Sequence, residues 1–145
     1  MKTIAEIERE IVDEFAIFDE WVDKYAYLIE IGSGLEGMDD AHKTEENLIK
    51  GCQSRVWFHA EMKDGRLYFT ADSDALITKG IAGLLTRVFS GQLPGDILNA
   101  DLKFIDEIGL AQHLSPTRSN GLLSMIKQIR MYALVVDASL KSEIK

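Results

Sequence analysis

An alternating segment, residues 55–62, constrains the fold of this chain more than any other stretch of its sequence. Apolar and polar side chains alternate along it, which is the period of a half-buried β-strand. Asp64-Gly65 follows, and this dipeptide favours a tight hairpin turn. A return strand over residues 66–71 aligns the two apolar faces through the pairs Met62 with Leu67, Ala60 with Phe69 and Phe58 with Ala71. The sequence therefore predicts a β-hairpin with one apolar face that other elements must cover.

Two amphipathic helices are predicted before the hairpin. Thr3 and Glu6 form a capping-box pair at the start of the first helix. Its apolar residues recur at helical spacing, as Ile4, Ile7, Ile11, Phe15 and Phe18. A second helix follows a bend near residue 18, and Gly32 and Gly34 are expected to end it.

Helical periodicity returns after the hairpin. Ser73 is expected to cap a helix from Asp74 to about Ser90, in which Gly80 and Gly83 are tolerable if another backbone packs against them. Short helices follow, and Ser115-Pro116 favours a cap and the first residue of a turn or helix before a last long helix. These elements predict one α+β domain over residues 1–145, with a small antiparallel sheet packed against helices from both ends of the chain. A short third strand is expected just before residue 50.

Residues 32–47 carry no regular pattern, and a loop this long in a small domain is often functional or mobile. His42 and Lys43 lie in this loop, and we expect both side chains to be solvated. The three histidines, His42, His59 and His113, share no short ligand spacing, so no metal site is predicted. The sequence also lacks a P-loop and a dinucleotide-binding fingerprint, and we expect no bound cofactor.

Cys52 is the single cysteine of the chain. Its neighbours are polar, basic or glycine, whereas a structural cysteine usually sits within an apolar run. Gly51 permits a tight turn that presents the sulfur, and Lys50 and Arg55 are cations that favour a thiolate. We therefore expect a reactive thiol in the loop before the hairpin; the alternative is a lone buried cysteine.

Three blocks of the chain together resemble the SufE family, and they cover nearly its whole length. The first block surrounds the cysteine, the second spans the return strand and the next helix, and the third precedes the last helix. They read Thr44-Glu45-Glu46-Asn47 with Gly51-Cys52-Gln53-Ser54 and Val56-Trp57; Gly65 with Asp72-Ser73-Asp74 and Lys79-Gly80; and Gln112-His113-Leu114-Ser115-Pro116-Thr117-Arg118-Ser119-Asn120-Gly121-Leu122.

The resemblance implies a sulfur carrier. Members of the family accept a persulfide sulfur from a cysteine desulfurase, an enzyme that uses pyridoxal phosphate, and stimulate that enzyme. They pass the sulfur toward an iron–sulfur scaffold. The fold of the family resembles that of scaffold proteins with several cysteines, so the single cysteine here indicates a carrier rather than a cluster builder.

Within this resemblance, Cys52 is the expected persulfide acceptor. Arg118 is the second expected functional residue, which would stabilise the thiolate or orient the partner; the structural alternative is that it caps carbonyls or pairs with a carboxylate. Asp74 is either a docking residue or a helix-start carboxylate. The remaining expected loop and docking residues are Gly51, Gln53, Ser54 and Arg55.

The charge of the chain argues against two classes of partner. Its net charge is −8 and its isoelectric point is about 4.8, which opposes binding to nucleic acid or to an anionic membrane. A single cysteine permits no internal disulfide, and the N-terminus has no apolar signal segment, so we expect a cytoplasmic protein.

Two other functions remain open from the sequence: a cysteine-based thiol peroxidase or hydrolase, and a plain interaction module.

Overall fold

The computed structural model describes residues 2–144, and the side chains of residues 2–139 within them. Seven α-helices, one 3₁₀ turn and two strands follow one another in this part of the chain, which confirms the α+β class. In chain order they are α1 (Ile4–Phe15), α2 (Trp21–Ser33), the 3₁₀ turn (Asp40–His42), β1 (Val56–Lys63), β2 (Arg66–Ser73), α3 (Leu76–Phe89), α4 (Pro94–Asn99), α5 (Lys103–Glu107), α6 (Leu110–His113) and α7 (Pro116–Ile144).

The β1–β2 hairpin has the predicted register. Met62 pairs with Leu67, and the ladder continues to Val56 opposite Ser73, so β2 is two residues longer than expected. The turn residues Asp64 and Gly65 have φ angles of 53° and 79°, the left-handed values that a two-residue hairpin turn requires. One face of the hairpin enters the core through Val56, Phe58, Leu67, Phe69 and Ala71.

The expected third strand is reduced to a single antiparallel bridge between Leu48 and Trp57. The Ile49 amide donates to the Val56 carbonyl at 2.8 Å, and the Phe58 amide donates to the Asn47 carbonyl at 3.0 Å. These bonds attach the chain just before Cys52 to the outer edge of β1.

Helix α1 begins with the predicted capping box, in which the Glu6 amide donates to Thr3 Oγ1 at 3.1 Å. Its buried stripe packs into the core, although Phe18 lies beyond the helix end and is half-buried. Glu14 accepts two bonds from the Arg87 guanidinium of α3, at 2.7 and 2.5 Å. This pair holds the pKa of Glu14 below its usual range and joins α1 to α3.

Helices α2 and α3 cross with their backbones in contact. A Cβ atom placed on Gly32 would lie 2.7 Å from the Gly80 amide nitrogen, and one placed on Gly83 would lie 3.2 Å from the Ile31 carbonyl oxygen. The predicted backbone approach at Gly80 and Gly83 is therefore confirmed. Gly32 does not end α2 as expected, because it is the helix-crossing residue, and Gly34 alone caps the helix.

The predicted start of α3 is wrong by two residues. The helix begins at Leu76, because β2 continues through Ser73 and the Asp74 carboxylate bonds to the loop before β1. Ser73 Oγ still accepts a bond from the Ala75 amide, at 3.3 Å.

Helix α7 starts at Pro116, where a turn or helix was expected to begin, and packs one face into the core through Leu122, Met125, Ile126, Ile129 and Ala133. Within residues 2–144, none of the helices is both long and apolar enough to cross a membrane.

Candidate functional site

Cys52 lies in the loop that leads into β1, with no helix around it, as predicted. Gly51 precedes it with φ of 91°, a left-handed value that strains other residues. A Cβ atom on Gly51 would also lie 2.7 Å from Ser124 Oγ of α7. A glycine at this position thus lets the cysteine loop lie directly on α7.

A second glycine forms the seat of the sulfur. Gly121 is buried in the second turn of α7, and a Cβ atom there would lie 3.2 Å from Cys52 Sγ. The Cys52 thiol is directed at the Gly121 carbonyl oxygen, with 3.7 Å between sulfur and oxygen, a distance typical of a weak S–H donor bond. The thiol is half-buried and rests in a notch of the helix surface.

Cys52 opens into a cleft of about 310 Å³ between its own loop and the starts of α3 and α7. Gln53 and Ser54 line the cleft from the loop, and Arg118 lines it from the first turn of α7. The other lining residues are Thr78, Ser115, Thr117 and Gly121. The structure therefore brings together residues that are more than sixty positions apart in the sequence and that come from two of the three SufE-like blocks.

The ionisation of Cys52 differs from the expected direction. Partial burial raises the pKa of the Cys52 thiol above its usual range, and no cation among the described residues offsets this effect. Lys50 is exposed and lines a separate groove with Ser124 and Lys127, while Arg55 is exposed beyond the loop. The expectation that Lys50 and Arg55 favour a thiolate at rest is therefore wrong, because adjacency in sequence does not place either charge beside the sulfur.

Arg118 lies in the first turn of α7. Its amide donates to Ser115 Oγ at 3.3 Å, and its side chain is exposed at the rim of the cleft. Among residues 2–139, no carboxylate forms an ion pair with this guanidinium. The carboxylate-pairing alternative for Arg118 thus has no partner in this part of the chain.

Asp74 holds the downstream end of the cysteine loop. Its carboxylate accepts a bond from the Arg55 amide at 3.0 Å, and its own amide donates to the Arg55 carbonyl at 3.2 Å. This closed pair fastens the loop to the exit of β2, a role that neither the docking nor the helix-start interpretation of Asp74 included.

His42 and Lys43 are not simply solvated. Lys43 pairs with Asp72 at 3.1 Å, because the loop folds back over the outer face of the hairpin. The His42 ring stacks on the His59 ring with 3.8 Å between centroids. The structure therefore brings together two histidines that are far apart in the sequence, while His113 stacks on Trp21 elsewhere in the fold.

Sequence reasoning did not single out Gly121, Thr78 or Ser124 as parts of the site. One signal was available for Gly121, since a glycine inside a helical pattern often marks the close approach of another group. Thr78 and Ser124 carry no comparable signal, because only the packing of α3 and α7 brings them to the loop.

Comparisons with known proteins agree with this architecture. The SufE family, described as an Fe–S metabolism associated domain, matches residues 9–133. An uncharacterised SufE-like protein of Rhizobium meliloti is 42% identical over 129 residues, covering 86% of this chain and 92% of its own length. A second SufE-like protein, from Rhizobium etli, is 37% identical over 135 residues and covers 90% and 91% of the two chains.

The fold also matches a solved structure. The solution structure of a hypothetical protein from Thermus thermophilus superposes with a TM-score of 0.75, covering 91% of this chain and 96% of that protein at 19% identity. At that identity the likeness concerns the fold alone. The family match over most of the sequence and the two SufE-like relatives show that this chain belongs to the SufE family.

Proposed function

We propose that this protein accepts sulfur on Cys52 from the persulfide of a cysteine desulfurase, stimulates that enzyme, and delivers the sulfur to an iron–sulfur scaffold. One observation carries the proposal: the single cysteine of the chain lies on a loop and opens into a cleft that Arg118 also lines. Membership of a family associated with Fe–S metabolism supports this choice of chemistry.

The transfer is a thiol exchange that leaves the number of electrons unchanged. The Cys52 thiolate attacks the outer sulfur of the desulfurase persulfide, a new S–S bond forms on Cys52, and the desulfurase cysteine leaves as a thiolate. The proton of Cys52 has to be removed before attack, because the thiolate is the nucleophile. The desulfurase is therefore expected to move the loop off its seat at Gly121, where burial raises the pKa of the thiol.

A half-buried resting thiol suits a carrier better than a peroxidase. A peroxide-reducing cysteine is reactive as a thiolate and is commonly paired with a second, resolving cysteine. Cys52 has a raised pKa and is the single cysteine of this chain. These two features oppose the peroxidase alternative.

Arg118 is proposed to bind the anionic persulfide or the partner. Its guanidinium has donors for either and sits at the rim of the cleft, exposed and with no carboxylate paired to it within residues 2–139.

We expect Arg118→Ala to reduce stimulation of the desulfurase about tenfold while it changes the melting temperature little, since exposed positions contribute little to stability. Lys103→Ala, an exposed cation on α5, is the matched control and should leave stimulation unchanged. Loss of stability with full stimulation would assign Arg118 a structural role instead.

The test of the proposal compares wild-type protein with Cys52→Ser in a desulfurase reaction that releases sulfide from cysteine under limiting reductant. The variant should fold and bind the desulfurase, because the swap keeps the shape of the side chain and docking spreads over a surface. It should not stimulate turnover, since a serine hydroxyl cannot form a persulfide. Stimulation equal to that of the wild type would remove Cys52 from the mechanism.

A further inference from the structure

A second cluster of reactive side chains lies on the outer face of the hairpin, away from the cysteine cleft. His59 and Glu61 occupy alternate positions of β1 and therefore point to the same face. His42 approaches them from the 3₁₀ turn of the loop that precedes β1. Each of the three offers one donor atom, and these atoms all lie within 4.8 Å of one another. The cluster shares no lining residue with the cleft of Cys52.

We propose that His42, His59 and Glu61 form a binding site for a divalent transition-metal ion of the zinc class. Two imidazoles and one carboxylate are a donor set that Zn²⁺ accepts with three protein ligands and a water molecule. Imidazole donors also favour zinc and its transition-metal neighbours over Mg²⁺ and Ca²⁺, which prefer oxygen. This site goes beyond the sulfur-transfer function.

The donor atoms are already near the spacing that a metal ion requires. Zinc lies about 2.0–2.2 Å from nitrogen and oxygen ligands, so the donors of a tetrahedral site are roughly 3.4 Å apart. His59 Nε2 and Glu61 Oε1 are already 3.0 Å apart. The stacked His42 ring completes the set when it turns about its side-chain bonds, which the half-buried position of this residue on a loop allows.

The surroundings of the cluster suit a hydrated cation. A cavity of about 180 Å³ opens onto it, which leaves room for a water ligand. Asp39 lines the same cavity and adds negative charge beside Glu61. Lys43, the nearest cation in sequence to His42, is held by Asp72 and Asp40 and is not a lining residue of the cavity.

Asn47 sets the hydrogen bonding of the cluster in the absence of a metal ion. Its amide nitrogen donates to the His42 carbonyl at 2.7 Å and faces His59 Nδ1 at 3.5 Å. This contact makes Nδ1 an acceptor, so the Nε2 proton of His59 points at Glu61. Metal binding at Nε2 moves that proton to Nδ1, and the 3.5 Å contact between Asn47 and Nδ1 then has to lengthen. A bound ion would tie the 3₁₀ turn to β1.

The experiment uses full-length protein carrying Cys52→Ser, so that the thiol does not bind the probe. Zinc chloride is titrated against a competing chromophoric chelator, and the imidazole nitrogen resonances are followed by NMR. We expect one ion per chain, with shifts of His42 and His59 but not of His113. His42→Gln, His59→Gln and Glu61→Gln should each weaken binding at least tenfold, by comparison with the roughly 10–100-fold cost of losing outer-shell partners.

His113→Gln is the matched control and should bind zinc as the background protein does, because His113 stacks on Trp21 outside the cluster. Circular dichroism checks that each variant is folded, and the NMR assignment in the background protein does not depend on any variant of the cluster. Absence of a one-to-one complex, equal shifts of all three histidines, or an equal loss in His113→Gln would each overturn the proposal. None of these results bears on sulfur transfer, since Cys52 is absent throughout.

Discussion

The resting state of Cys52 combines access with protection. Its sulfur opens into a cleft, yet half of the side chain is buried against α7 and the thiol is directed at the Gly121 carbonyl. Because burial disfavours the charged form, the thiol is held protonated to a higher pH than a free cysteine. A thiol in this state should react poorly with small oxidants.

The raised pKa predicts how alkylation of Cys52 depends on pH. The rate with iodoacetamide should rise with a midpoint at higher pH in the folded protein than in the urea-unfolded chain, since only the folded state buries the thiol. By linkage, the free energy of unfolding should be unaffected by this group below the unfolded pKa and fall as pH rises toward the folded pKa. Cys52→Ser should lack that fall. A folded-state midpoint at or below the unfolded one would show that the seat at Gly121 does not control ionisation.

At the scale of single residues, the sequence predicts where the Cys52 thiol lies but not its ionisation. Gly51 and the alternation that starts at Val56 are local signals, and they place Cys52 correctly in a loop. The pKa of the thiol is raised by burial, and part of that burial comes from α7, whose Gly121 lies 69 residues further along the chain. Lys50 and Arg55 were misleading because both side chains are exposed and neither lines the cleft of Cys52.

At the scale of the elements, the crossing of α2 and α3 leaves no room for side chains at Gly32 and Gly80. Cβ atoms on Gly32 and Gly80 would enter the facing backbone, so both helices depend on the absence of side chains at this contact. The crossing fixes α3, whose first turn supplies Thr78 to the cysteine cleft. A substitution that alters the packing of α2 against α3 should therefore change the shape of the cysteine cleft.

Gly80→Ala tests this dependence. Its Cβ would lie 2.8 Å from the Leu28 carbonyl carbon, and we expect a loss of at least about 2 kcal/mol of unfolding free energy in urea. Gly95→Ala, in α4, is the control, because a Cβ there meets nothing within 4 Å. If both substitutions have the same small effect, the helices are free to separate and the contact does not limit the fold.

The elements differ in how far the sequence could predict them. The hairpin register followed from a period of two and a turn signal, because a slip by one residue would expose the whole apolar face. The start of α3 was placed too early, since Ser73 and Asp74 are good capping residues but are used by β2 and by the Arg55 amide. Similarly, the third strand was reduced to one bridge because the chain must leave the edge of β1 to form the cysteine loop.

At the scale of the whole molecule, the site is built by a helix from the middle of the chain, the last helix and the loop before the hairpin. Helix α7 supplies Gly121 and Arg118, α3 supplies Thr78, and the loop before the hairpin supplies Cys52. An acidic chain with a net charge of −8 thus presents an exposed arginine at the rim of its thiol cleft. That arrangement is consistent with a partner that brings an anionic persulfide to the cleft.

The most direct test of the central claim is mass spectrometry of the intact protein after incubation with cysteine and a pyridoxal-phosphate desulfurase. Wild-type protein should gain the mass of one sulfur atom, a peptide map should place it on Cys52, and a reductant should remove it. Without cysteine or without desulfurase, the mass should not change. If active desulfurase leaves Cys52 unmodified while its turnover still rises, Cys52 is not the acceptor and the account of this protein as a sulfur carrier is contradicted.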